Sequence, residues 1–213
     1  MEEYPILYTF RRCPYAMRAR MALAYGKIPY LHREILLKNR PKNLYDISLK
    51  GTVPVLLLED GFVLDESIEI MRWVLKESDV DEWYLDKKDV QDQLIDLNDM
   101  DFKKKLDKYK YHIRYPEFQF EKYRDDVSEY LFSYDNILHS QSYLSGNQLR
   151  FVDIALMPFI RQCAHVDLDW FNNQFKYLSK WLAILKKSKL FKIIMQKHDI
   201  WDEKSKGVLI KWN

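Results

Sequence analysis

Residues 8–26 read YTFRRCPYAMRARMALAYG and contain Cys13, one of only two cysteines in the chain. Arg11 and Arg12 precede it, Pro14 follows it, and Arg18 comes soon after. The nucleophilic form of cysteine is the thiolate, and a thiol that ionises near about pH 8.5 is mostly idle at neutral pH. Pro14 suits the first position of a helix, because the N–H that proline lacks would be unpaired there. A cysteine just ahead of it meets unpaired backbone N–H groups and the positive end of the helix dipole. Such sites lower a thiol pKa to roughly 3.5–7.5. Arg11, Arg12 and Arg18 would add to this if their side chains turn inward. The stretch is therefore designed for an ionised, reactive thiol at Cys13.

The elements that must position this thiol can be read on either side of it. Tyr4 to Phe10 is short and apolar and reads as a strand. Pro14 to Tyr25 reads as a helix, with Met17, Met21 and Ala24 in one stripe and Gly26 where a left-handed residue would end it. IPYLHREILL reads as a second strand, which completes a βαβ unit with a right-handed crossover. Val55 to Leu58 and Phe62 to Leu64 flank Asp60-Gly61, a strong hairpin signal, and Ile68 to Lys76 reads as a helix.

Residues 79–88 are charged and read as a linker. Beyond them no convincing strand is visible. Helical spacing marks Val90 to Met100 or Asp101, Phe120 to Leu138, Phe151 to His165, Gln174 to Lys187 and Leu190 to His198. The expected architecture is α/β plus all-α: a small mixed domain over residues 1–78 and an all-helical domain over 89–213. With 47% hydrophobic residues a sizeable core is available, and only 5 glycines favour helices over turn-rich β structure.

Composition also narrows the function classes. The chain carries 34 basic and 32 acidic residues, a net charge of +2, which argues against nucleic-acid or anionic-membrane binding. The basic–aromatic stretch FKKKLDKYKYHIRY is accordingly expected to be a helix end beside a cleft. No apolar run approaches the roughly 18 residues of a membrane span. The start lacks signal-peptide order and the two cysteines do not form a disulfide framework, so a cytoplasmic setting is expected. The five histidines show no metal-ligand spacing. Cys163 lies in an apolar helical stretch and is expected to be structural.

The order CPYA resembles the Cys-Pro-x-Cys of thioredoxin-like redox proteins, with Ala16 in place of the second cysteine. The resolving thiol would then have to come from a small molecule. CPYAMRARMAL, GTVPVL and DES, taken together, look like the N-terminal domain of cytosolic glutathione transferases, most of all the omega-type and related bacterial cysteine-containing members. The resemblance spans nearly the whole chain and is looser after the linker. It implies a thioredoxin-like first domain, a cis peptide before Pro54, and glutathione as cosubstrate. It also implies residue roles. Val53 would offer its backbone to the cysteinyl part of glutathione. Glu66 and Ser67 would hold the γ-glutamyl end, and Arg40 the glycine carboxylate. Tyr15, Tyr109, Tyr111 and His112 are candidates for the second-substrate pocket.

The buried helix after Arg150 departs from the family pattern, which places Ser or Thr three residues before Asp153. Arginine cannot accept an N–H hydrogen bond, so a different cap, Asn147, is expected. The activity implied is glutathione-dependent thiol transfer or reduction, with Cys13 attacking a small-molecule or protein mixed disulfide, or dehydroascorbate-type reduction. Two alternatives stay open. One is conjugation of glutathione to an electrophile, with Tyr8 or Thr9 donating a hydrogen bond to its thiol. The other is a non-catalytic interaction protein. A homodimer is the family expectation.

Overall fold

The computed structural model describes residues 3–84 and 87–212. Positions 85–86 of the expected linker, and residues 1, 2 and 213, lie outside the described residues. The chain divides into two units. One runs to Val80 and resumes at Ser188; the other runs from Asp81 to Lys187.

The first unit holds β1 (Ile6–Thr9), α1 (Pro14–Tyr25), β2 (Tyr30–Glu34), α2 (Lys42–Ile47), β3 (Val55–Leu57), β4 (Val63–Leu64) and α3 (Ser67–Glu77). To these the returning chain adds α10 (Lys189–Ile194) and β5 (Val208–Ile210). The sheet order is β4-β3-β1-β2-β5. β1 and β2 are parallel, Ile6 facing Leu31, and β3 runs antiparallel to β1, Ile6 facing Leu57. β1 is buried throughout, as a central strand covered on both faces must be. Successive side chains point to opposite faces. Ile6 and Tyr8 join Leu31, Ile35, Leu44, Val53 and Val55 in one cluster. α1 and α3 pack against each other.

The thioredoxin-like first unit matches the expected fold class, with two corrections. Residues 89–213 are not one helical domain: β5 pairs antiparallel with β2, Leu31 facing Leu209, and α10 packs on α1. Three residues of half-exposed strand give almost no periodicity to read. Gly26 also does not supply the left-handed turn. Its φ is −71°, and Lys27 takes the left-handed position at φ +54°. Glycine is needed because an added Cβ would lie 2.5 Å from Cγ1 of Val74 in α3.

The second unit is helical: α4 (Lys88–Leu97), α5 (Lys103–Lys110), α6 (Phe120–Ser140), α7 (Phe151–Ala164), α8 (Leu168–Gln174) and α9 (Lys176–Lys187). A π-bulge at Asn98–Phe102 joins α4 to α5, so the first helical stretch continues beyond the expected Met100 or Asp101. α7 is buried along nearly its whole length and forms the core of this unit.

Asn147 does not cap α7; its side chain accepts from the Ser142 N–H. The first N–H groups of α7 go elsewhere. Phe151 donates to the Trp83 carbonyl (3.1 Å) and Val152 to Oε1 of the fully buried Gln91 (3.0 Å). Asp153 turns back to accept from the Arg150 N–H (3.0 Å), and also takes Leu144 N–H and Trp181 Nε1. Burial pushes the Asp153 carboxyl up to about 6 against these hydrogen bonds. A cap supplied by Gln91 and the Trp83 backbone makes a Ser or Thr at position 150 unnecessary. Gln91→Ala should therefore cost about 2–4 kcal/mol, because it strands a buried N–H and leaves a void. Arg150→Ala should cost less than about 1 kcal/mol, since its cap contacts are main-chain. Urea unfolding midpoints of the two variants check this ranking.

Candidate active site

α1 begins at Pro14, and Cys13 is its N-cap, in extended geometry (φ −71°, ψ 123°). The Cys13 carbonyl accepts from Met17 N–H (2.9 Å), which starts the helix ladder. Its N–H returns to the Phe10 carbonyl (3.0 Å), closing a tight turn, and its Sγ lies 3.5 Å from the Val53 carbonyl. The sulfur therefore sits where the sequence places it, at the positive end of a helix. It is half-buried, and neither cysteine is in a disulfide. Cys163 is fully buried in α7, where burial pushes its thiol pKa up.

Of the three arginines expected near the thiol, only Arg18 is buried. Its Nε donates to Oγ of Ser67 (2.9 Å), and its guanidinium lies 5.3 Å from the Tyr15 ring centre. Arg12 is exposed. Arg11 contributes its backbone: the N–H donates to Oε1 of Glu34 (2.7 Å). Sequence reasoning missed the arginine that matters most to this loop. Arg20 is 1% exposed and donates to Thr9 Oγ1 and to the carbonyls of Phe10 and Arg11. Desolvation lowers its pKa, while the nearby Glu34 carboxylate favours its charged form. The available signal was a charge inside the apolar stripe, between Met17 and Met21.

A groove of about 470 Å³ opens beside Cys13. Tyr15, Arg40, Val53, Pro54, Glu66 and Ser67 line it together with Cys13, so these candidates from the first unit meet in one place. The Val53–Pro54 peptide is cis. Glu66 is the N-cap residue of α3 and makes no side-chain cap hydrogen bond, which leaves that helix end open toward an anion. Ser67 is buried, and its hydroxyl oxygen accepts from Arg18, which leaves its proton to donate. Arg40 reaches the Tyr45 hydroxyl at 3.5 Å, and its buried Nε has no partner among the described residues.

Two further groove residues were not foreseen. Lys50 pairs with Glu66 and, at 3.0 Å, with Asp65, and these hydrogen bonds push it up to about 12. Asp65 also accepts from Ser48 Oγ (2.7 Å), and this bond, followed by the one from Lys50, lowers its pKa. The signal was an acidic pair, Asp65-Glu66, with a lysine just before Gly51. Gly51 itself is required, with φ +58° and an added Cβ only 2.2 Å from the Tyr45 ring. The groove thus presents carboxylates, two cations, an open helix end and one thiol.

The candidates from the second unit are different. Tyr109 is fully buried there, against Phe120 and Trp170, and presents no surface to a substrate; burial raises its pKa. Tyr111 is exposed between Lys110 and Arg114. His112 sets its ring edge-on to Phe120 (4.8 Å). Tyr8 and Thr9 are both engaged. Tyr8 is 2% exposed with its hydroxyl on Arg33, and burial raises its pKa; Thr9 is fully buried under Arg20. Among the described residues no group of His, Cys, Asp or Glu could hold a metal ion, and no helix is long and apolar enough to cross a membrane.

Residues 12–77 match the family model of the glutathione S-transferase N-terminal domain, and residues 99–186 match that of its C-terminal domain. The chain belongs to the glutathione S-transferase superfamily. No curated protein matches it by sequence. Among solved structures it is similar to a glutathione S-transferase from Methylobacillus flagellatus KT with GSH bound. That match has 19% identity and a TM-score of 0.75, over 89% of this chain and 98% of the other. It is also similar to a Phanerochaete chrysosporium glutathione transferase in complex with oxidized glutathione: 16% identity, TM-score 0.78, over 89% and 94%. A third is poplar glutathione transferase F1: 18% identity, TM-score 0.76, over 91% and 97%. At these identities the likeness is one of fold.

The contrast between the two thiols is directly testable. Iodoacetamide added to the native protein should modify one cysteine, Cys13, and reach Cys163 only after unfolding. Peptide mass mapping before and after denaturant reads this, and early labelling of Cys163 would contradict its placement.

Proposed function

We propose that this glutathione S-transferase catalyses glutathione-dependent thiol transfer, with Cys13 as nucleophile. The observation that carries the reading is the placement of Cys13 at the open end of a helix, on the wall of a groove with complementary charge for glutathione. Glutathione has an ammonium, two carboxylates and a thiol. Glu66 and Asp65 suit the ammonium, which would displace Lys50 from them. Ser67 and the α3 end suit the neighbouring carboxylate, and Arg40 the other. The Val53 backbone suits the cysteinyl residue, paired as a neighbouring strand would be. The relatives with bound GSH or oxidized glutathione support glutathione as cosubstrate.

In the first step the Cys13 thiolate attacks the glutathionyl sulfur of a mixed disulfide. The old S–S bond breaks, and the target leaves as a thiolate that takes a proton from water. The thiolate of a second glutathione then attacks the glutathionyl sulfur on Cys13, releasing oxidised glutathione and restoring the thiolate. Each exchange depends on thiolate fraction and access. Ala16 stands where a resolving cysteine would be, so the second thiol must come from solution. Small-molecule and protein disulfides, and dehydroascorbate, are the proposed substrates. Tyr15, Tyr111 and His112 remain proposed pocket residues, and a homodimer and a cytoplasmic setting belong to the same proposal.

Conjugation of glutathione to electrophiles would need a hydroxyl donor to the bound thiol. The engagement of Tyr8 by Arg33 and of Thr9 by Arg20 weighs against both candidates. Cys13→Ser should lower glutathione-dependent reduction of a small mixed disulfide by at least about a hundredfold, and Tyr8→Phe should change it less than about threefold. Steady-state rates of the three proteins decide. Full activity in Cys13→Ser would sink the assignment, and a gain of conjugating activity there would favour the alternative.

A further inference from the structure

We propose that Glu34 is a positioning residue for Cys13: its buried carboxylate holds the Phe10–Cys13 loop in place, and the returning segment around His198 and Trp201 seals it from water. The proposal rests on Cys13 being the working nucleophile.

Glu34 ends β2 and is 5% exposed. A carboxylate is rarely buried this far without full use of its oxygens. Oε1 accepts the Arg11 N–H at 2.7 Å, two residues before Cys13. Oε2 meets Nε2 of His32 at 3.1 Å. The same loop is held by Arg20, whose guanidinium takes the carbonyls of Phe10 and Arg11. Glu34 and Arg20 thus grip the loop between them, one through its N–H and the other through its carbonyls. Their opposite charges offset each other's burial.

The returning chain closes this site. Trp201 N–H donates to the Glu34 carbonyl (2.8 Å), and the His198 ring lies 4.2 Å from that of His32. Arg33 donates to the Lys206 carbonyl (3.1 Å) and lies 4.1 Å from the Trp201 ring centre. Excluding water strengthens the bond to Arg11 N–H. The groups facing Glu34 are therefore His32 and Tyr30 on its own strand, His198 on the returning segment, Arg20 from α1 and the Arg11 backbone. None of them touches the groove that would hold a substrate.

Charge and position make opposite predictions. Removing a nearby anion would by itself favour the thiolate and speed its reactions. Losing the grip on Arg11 would let Cys13 drift from the helix end and slow them. The test is iodoacetamide alkylation in a Cys163→Ala background, followed by intact mass, well below each variant's melting temperature; it needs no glutathione. Glu34→Ala should slow alkylation at pH 7 by about tenfold or more, and raise the pH of half-maximal rate. Glu34→Gln, which still offers an oxygen to Arg11 N–H, should stay within about threefold of the parent. Equal slowing of both variants, or no slowing of either, would overturn the proposal. If Glu34→Ala does not fold, amide exchange in the parent decides: the Arg11 N–H should be as protected as the β2 ladder, and fast exchange there would overturn it.

Discussion

A guanidinium with no access to water needs acceptors, and much of the first unit follows from how Arg20 finds them for its two terminal nitrogens, its Nε having no partner among the described residues. The residue rises from the second turn of α1, among methionines and alanines. Its solution is to draw the end of β1 and the following loop over itself, using Thr9 and two backbone carbonyls. That loop then has one shape, and Cys13 follows it directly onto the helix end. The thiol's position is thus set less by its own contacts than by the cation beneath the preceding residues.

The groove has a related logic. Its walls are mostly element termini: the start of α1, the start of α3, and the Lys50–Pro54 segment that leads into β3. Termini expose unpaired backbone groups, so a site built from them binds charged and peptide-like molecules with few specialised side chains. Arg18 ties two of these termini together by running from α1 to Ser67 at the head of α3. The lysine on Glu66 keeps the carboxylate neutralised and oriented while no other cation is present. An exposed pair of this kind is worth little in stability, which makes it easy to exchange.

The parts of the protein that were legible in sequence are those where a residue type has one use. Cys-Pro at a helix start, Asp-Gly between apolar runs and the Val53-Pro54 turn each led to the right element. Pro14 to Tyr25 matched its helix end to end. The failures share a cause, which is partnership across long sequence separations. Nothing local links Gln91 to Val152, yet that contact replaces the missing cap. Gly26 was assigned to a backbone angle, whereas its reason is Val74 on another helix. Lys50 and Glu34 look like ordinary surface charges until the fold pairs or buries them. Tyr109 carries the same letters as a pocket residue and lies in a core.

Strand order and synthesis order differ in this chain. β2 is made early, at Tyr30–Glu34, but its outer neighbour is Val208–Ile210. A ribosome adding roughly 5–20 residues per second needs on the order of ten to thirty seconds to cover that interval. Throughout it, one edge of the nascent sheet has unpaired N–H and C=O groups, and the apolar faces that will meet Trp201 and α10 are bare. The helical unit, continuous in sequence and complete before Ser188 is added, can settle first. The unit that carries Cys13 would then be the last to close, and newly made chains would depend on whatever shields an open β edge in the meantime.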